Sequence, residues 1–231
     1  MKRKRTVYTE AAYVLGLLVL ALGTALMERA DFGMSMVVAP AYLLHLKLSR
    51  VLPWFSFGMA EYCFQALLLL LLSLLMGRFR GIYLFSFVTA VLYGLALDAM
   101  MGLTAAFPQG GMTGRVSCYL LGMVLGSLGV ALLFHTYIAP EAYELFVKEL
   151  SRKYGIELHR MKTVYDLCSC FLAVLLSFLF FGFGHFEGVK AGTALCALVN
   201  GSMIGLCGRL LEKGLKFRDR LGLRRFFERM V

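Results

Sequence analysis

Charge is scarce in this chain. Asp, Glu, Lys and Arg make up 16% of its 231 residues and 60% are hydrophobic, a balance too apolar for an ordinary soluble domain. Proline is rarer still, with four in all, so long helical runs pass uninterrupted. No CxxC pair is present. The six cysteines (Cys63, Cys118, Cys168, Cys170, Cys196 and Cys207) lie in or beside apolar stretches, without histidines at ligand spacing. A disulfide scaffold and a zinc site are left without support, and the thiols read as packing groups. Also missing are a glycine-rich phosphate loop with its lysine, a GxSxG elbow, an HExxH helix and any loop that would hold a catalytic domain. The expectation is a protein that is not an enzyme and carries no metal and no cofactor.

What the chain does have is six apolar stretches, at about 11–27, 57–76, 81–105, 116–134, 163–183 and 191–211. Each approaches the roughly 20 residues a helix needs to cross a hydrocarbon core of about 30 Å. None alternates as a barrel strand would, and helices satisfy their own backbone where water is absent. With the N-terminus inside, 19 of the 24 Lys and Arg fall on the cytoplasmic side and five, Arg29, Lys47, Arg50, Arg115 and Lys190, on the other. That bias predicts six spans with both termini in the cytoplasm, Thr6 and Gly222 facing the cytoplasm and Gln109 and Glu187 facing outward. The formal net charge of +10 then marks the membrane's cytoplasmic face and needs no nucleic acid. MKRKR and the apolar run after it resemble a signal peptide. The run is long for one, and a second copy occurs later, so it reads as a permanent helix.

That second copy is the most informative feature. Leu15 to Leu26 reads LGLLVLALGTAL and Leu121 to Leu132 reads LGMVLGSLGVAL, identical at six of twelve positions. Each runs on into Ala-Pro (Ala39-Pro40, Ala139-Pro140), then a Tyr, then Ser-Arg (Ser49-Arg50, Ser151-Arg152) and two further apolar segments. Three crossings per copy would insert the second copy upside down, the pattern of inverted repeats that frame transport sites at the midplane. The expected fold is an all-α polytopic membrane protein of six transmembrane helices in two inverted three-helix repeats. Its parts are a basic N-terminus (1–10), repeat one (11–105), an outer linker (106–115), repeat two (116–211) and a basic tail (212–231).

Between the first and second span of each copy lies a segment too short to cross. FGMSMVVAPAYLLHL, Phe32 to Leu46, is apolar; Ile138 to Leu150 carries Glu141, Glu144, Lys148 and Glu149 on one helical face. Both read as short re-entrant or interfacial helices at opposite membrane surfaces. Gly16, Gly23, Gly122, Gly126 and Gly129, and the run Gly192, Gly201, Gly205 and Gly208, predict close helix packing within the chain more than a dimer face. The tail sets Leu215, Phe217, Leu221, Leu223, Phe226, Phe227 and Met230 among seven basic residues. It reads as an amphipathic helix on anionic lipid of the inner leaflet.

Ionisable groups at membrane depth are costly, and the few present are the candidates for function. Glu28, Arg29 and Asp31 end the first span, Glu61 and Gln65 begin the second and Asp98 ends the third. Topology puts all six near the outer side, where a cluster centred on Arg29 is expected. Either it is an ion-pair knot that closes the bundle, or it is a site for a cation or a proton-coupled solute. An inner set comprises His135, Asp166 and Asn200. Asp166 precedes Gly182 by sixteen residues as Glu61 precedes Gly77, so the two acids share a repeat position. His135 ends a helix and reads as interfacial. Asn200 is the polar residue best placed for the midplane.

The segments LGTALMERADFGMSM (Leu22 to Met36), SFGMAE (Ser56 to Glu61), LYGLALDAM (Leu92 to Met100), KTVYDL (Lys162 to Leu167) and GTALCALVNGSMIG (Gly192 to Gly205) resemble the YczE-like bacterial membrane proteins of the wider YitT-like group. Arg29, Asp31, Gly33, Ser35 and Asp98 carry the resemblance, and Met36 stands where that family usually has proline. The resemblance implies an integral membrane protein and points to no cargo. The reading is a permease-like protein that moves or binds a small solute; its competitor is a non-transporting accessory or scaffold protein acting through a protein partner.

Overall fold

The computed structural model describes residues 5–106, 110–182 and 187–230. Among them are β1 (Arg5–Tyr8), α1 (Thr9–Ala30), α2 (Ala39–Leu48), α3 (Phe57–Met76), α4 (Gly81–Ala105), α5 (Met112–Phe134), α6 (Ala142–Tyr154), α7 (Leu158–Phe181), α8 (Ala191–Gly214), β2 (Leu215–Arg218) and α9 (Arg224–Met230). Six helices, α1, α3, α4, α5, α7 and α8, are long and apolar enough to cross a membrane. Side chains are sorted as lipid demands. Leu74, Phe171 and Leu198 are 71–82% exposed, while Glu61, Gln65, Ser86 and Thr89 are buried, since polar groups must find their partners inside the bundle.

The centre is the crossing of α1 and α5, the pair with the most extensive contact. Glycine lets the two backbones touch. A Cβ on Gly23 would lie 2.5 Å from the Gly126 nitrogen, one on Gly122 would lie 2.7 Å from the Gly23 carbonyl and one on Gly129 would lie 2.8 Å from that of Gly16. Gly16 therefore meets Gly129 and Gly23 meets Gly122, so the helices run antiparallel. The expected close packing of α5 within the chain holds. In α8 it holds only at Gly192, against the Phe32 carbonyl and Tyr119; a Cβ on Gly201 or Gly205 would meet nothing, because this helix packs on α5 and leaves most of its surface open. Next to the crossing, α1 is tied to α4 by Tyr13 Oη with Thr89 Oγ1 (2.8 Å) and Thr24 Oγ1 with Tyr93 Oη (2.9 Å).

The short helices dip into the bundle. The Ala142 amide, in the first turn of α6, donates to Gln65 Oε1 (3.0 Å) in the third turn of α3, and Lys153 Nζ donates to the Leu75 carbonyl at the end of α3. So α6 starts level with the middle of a spanning helix and follows it out. α2 does the same on α7: Ala39 and Leu43 pack near Ala173, and Lys47 Nζ donates to the Phe180 carbonyl (3.2 Å). The amphipathic pattern of α6 is real, but its acids meet protein instead of water. Glu149 pairs with Arg80 (2.7 Å) and Glu144 with Lys162 (2.9 Å), while Lys148 is exposed.

The chain's ends meet. β1 pairs in parallel with β2, Arg5 opposite Leu215 through Tyr8 opposite Arg218, so the two ends of the bundle lie on one face. The Glu10 carboxylate accepts from the amides of Arg220 (3.1 Å) and Leu221 (2.9 Å) and from Tyr137 Oη (2.7 Å). The tail is therefore not one amphipathic helix laid on lipid. Leu215 and Phe217 alternate with exposed Lys216 and Arg218, the period of a strand, and Phe217 stacks on His135. Phe227, in α9, buries itself against Phe85 and Tyr137.

Candidate functional site

Spaced four apart, Glu61 and Gln65 share one face of α3, and α6 meets that face. Tyr143 Oη donates to Glu61 Oε1 (2.7 Å). The Gln65 amide reaches both acids, from Nε2 to Glu61 Oε1 (3.4 Å) and to Glu141 Oε2 (3.5 Å). Glu61 is 0% and Glu141 7% exposed, and among the described residues Glu61 Oε2 and Glu141 Oε1 have no hydrogen-bond partner. Burial, with the Glu61 carboxyl beside it, pushes the Glu141 carboxyl well above the usual carboxylate range. The segment before α6 is pinned by α4: Thr89 Oγ1 donates to the Ala139 carbonyl (3.0 Å) and Ser86 Oγ to that of Pro140 (2.7 Å). Glu141 is the N-cap of α6, which begins at Ala142, but its side chain does not cap the helix.

Glu141 lines a cavity of about 90 Å³ between α1, α5, α8 and the segments preceding α2 and α6. Its walls are mostly apolar, with Met27, Met123 and Tyr93 among them; Ser35, Glu141, Glu144, Lys162 and Asn200 supply polarity. Lys162 is held by Glu144 (2.9 Å) and Asp166 (3.6 Å). On the termini's face a vestibule of about 590 Å³ shares Leu133, Phe134, Pro140 and Glu144 with the cavity, and Arg224 and Phe227 of the tail form part of its rim.

The outer cluster expected around Arg29 is dispersed. Asp31 adopts a left-handed conformation (φ 55°) at the end of α1, which turns its carboxylate to Lys190 (2.5 Å) and Arg115 (3.2 Å) in the second half of the chain. Asp98 caps α3, accepting from Ser56 Oγ (2.5 Å) and the Gly58 amide (2.8 Å). Glu61 and Gln65 face α6. Glu28 accepts from Tyr42 Oη (3.4 Å). Arg29 makes no ion pair among the described residues and borders, with Glu28, Asp31, Tyr42 and Arg115, an open pocket of about 330 Å³. The inner set is dispersed too. His135 Nδ1–H donates to the Ala131 carbonyl (2.7 Å), and Nε2 lies 3.3 Å from Glu212. Asp166 pairs with Lys162 and Asn200 accepts from Ser127 Oγ (3.0 Å) at the cavity wall. Gln109, the outward topology marker, lies outside the described residues.

Arg29 is half-buried and borders open space, so Arg29→Ala should change thermal stability by about 1 kcal/mol or less. Asp31→Ala, which strands Lys190 and Arg115, should cost more. A melt ranking the two variants the other way would restore the Arg29-centred cluster.

Fold and cavity together define a multi-pass membrane protein. The chain belongs to DUF6198, a family of unknown function whose model matches residues 7–209. No curated protein and no solved structure matches it.

Proposed function

We propose that the chain is a permease-like protein of the bacterial cytoplasmic membrane that binds and moves a small solute through the cavity between two inverted repeats. The observation that carries this reading is the meeting of two re-entrant segments, 35–38 and 140–144, at one cavity, the arrangement by which broken helices build transporter sites. Several contacts support the inverted relation. The shift that carries Leu15 onto Leu121 exchanges the pairs Gly16 with Gly129 and Gly122 with Gly23. In antiparallel helices such an exchange corresponds to an axis in the membrane plane. The contact of α2 with α7 has its counterpart in that of α6 with α3, and α1 with α4 in α5 with α8. Among the described residues α3 packs on α4 more extensively than α7 on α8, which leaves the second half more open. The bias of the basic residues supports an orientation with the paired termini, and with them the vestibule, facing the cytoplasm.

Thermal stability of the purified protein, scanned over small cations, anions, amino acids and sugars, tests the reading. A solute that binds the folded state at about a hundred times its Kd adds about 2.7 kcal/mol. Gly126 lines the cavity and a Cβ there meets nothing within 4 Å, so Gly126→Val should fold normally and lose the response. The scaffold reading predicts no response to any solute. That result, or an undiminished response in Gly126→Val, would sink the transport reading.

A further inference from the structure

The charges around the cavity do not balance, and the imbalance selects a solute. Lys162, from α7, has its ammonium shared by Glu144 of α6 and Asp166 of α7. The other groups facing Glu141 are Glu61 and Gln65 of α3 and the phenols of Tyr13, Tyr93 and Tyr143. No second base is among them. Among the described residues Glu61 and Glu141 thus form a buried carboxyl pair bridged by one amide, and the one cation that acts on Glu141, Lys162, is ion-paired to Glu144 and Asp166. Two ionised carboxylates in such a place would each lack a counter-charge at a cost of several kcal/mol, so the pair holds a proton instead. Glu141 is more than nine-tenths buried, borders the cavity and keeps Oε1 without a hydrogen-bond partner among the described residues.

Resting on the reading of this cavity as the solute site, we propose that the solute is a small organic cation of the alkylammonium class, exchanged for a proton held by Glu141 and Glu61. The exchange balances. The ammonium enters with one positive charge, a carboxyl O–H breaks, its proton leaves toward water, and the ammonium N–H groups donate to the carboxylate left behind. Its alkyl groups lie against the remaining walls. Met27, Met123 and the Tyr93 ring are soft, polarizable surfaces that suit an organic cation. Calcium and magnesium take six or more oxygen ligands, and among the described residues no group of three His, Cys, Asp or Glu side chains is placed to hold a metal ion. At roughly 10–15 Å³ for each water-sized group, the cavity of about 90 Å³ admits only a few heavy atoms.

The test uses the purified full chain with methylammonium, ethylammonium and dimethylammonium chlorides. Sodium chloride, acetamide and sodium acetate serve as inorganic, neutral and anionic comparisons. An alkylammonium salt should raise the melting temperature above equimolar sodium chloride, with apparent affinity increasing up to about tenfold per pH unit between pH 6 and 8. A pH indicator in weakly buffered solution should record close to one proton released per cation bound. Glu141→Gln should abolish both effects. Should that variant fail to fold, proton release by the unaltered protein, and its loss in Gly126→Val, still decide the matter. Binding without proton release and without pH dependence would overturn the exchange. Stabilisation by acetamide or acetate but by no ammonium salt would overturn the cation and leave the solute site standing; a chain indifferent to every solute overturns both.

Discussion

Gly23→Val should leave little folded protein to purify. The added atoms would fall on the backbone of Gly126 and Gly122, at 2.5 and 2.7 Å from the first of them, and a helix backbone cannot turn aside as a side chain can. Overpacking in a yielding core costs about 1–3 kcal/mol; here the central pair of helices must separate, so the loss should exceed that range. At about 2–4 °C per kcal/mol for a chain of this size, the melting temperature should fall by roughly 10 °C or more. Gly205→Val, in the same kind of apolar helix but facing open space, should melt within a few degrees of the unaltered protein. Similar melts for the two would mean that α1 and α5 do not cross at their glycines.

Arg80→Met should be the most damaging loss of a single charge. Its guanidinium and the Glu149 carboxylate meet at 2.7 Å, with 14% and 3% of their side chains exposed. Removing one partner of a buried pair costs about 3–5 kcal/mol because the other is left charged and unsolvated. Glu149→Gln in the same background should restore stability at pH 8, since it removes the stranded charge. Melting curves of the single and double variants decide this, and a double variant no more stable than Arg80→Met would show that the cost is packing and not charge.

The spans were legible because twenty consecutive apolar residues leave a chain few alternatives, and α3 and α4 begin and end where the apolar runs do. The contact of Gly23 with Gly122 was legible through the duplicated LG and LG-x-AL pattern. Depth was not. Pro40 and Pro140 announced two breaks, yet an amphipathic α6 has the same pattern whether Glu144 and Glu149 meet water or Lys162 and Arg80. For that reason Glu61 stood out as a candidate while its partners Glu141 and Tyr143 and the nearby Lys162 did not. A usable signal was present: Glu61 and Gln65 put two strong polar groups on one face of an apolar helix, and such a face requires a polar partner. Arg29 misled for the converse reason. Its neighbours in sequence were acids, but the left-handed turn at Asp31 hands the carboxylate to residues more than eighty positions away.

The parallel pairing of Arg5–Tyr8 with Leu215–Arg218 has a consequence for assembly. β1 precedes every spanning helix and β2 follows them all, so this ribbon can form only after the last helix has been threaded and turned back to the starting face. A nascent chain halted before Leu215 leaves β1 as a bare edge beside basic residues, open to any other extended segment. Closing the loop between residues so far apart is slow and comes late. The backbone amides of β1 and β2 would therefore gain protection from hydrogen exchange last during biogenesis, and their protection reports that all six helices are in place.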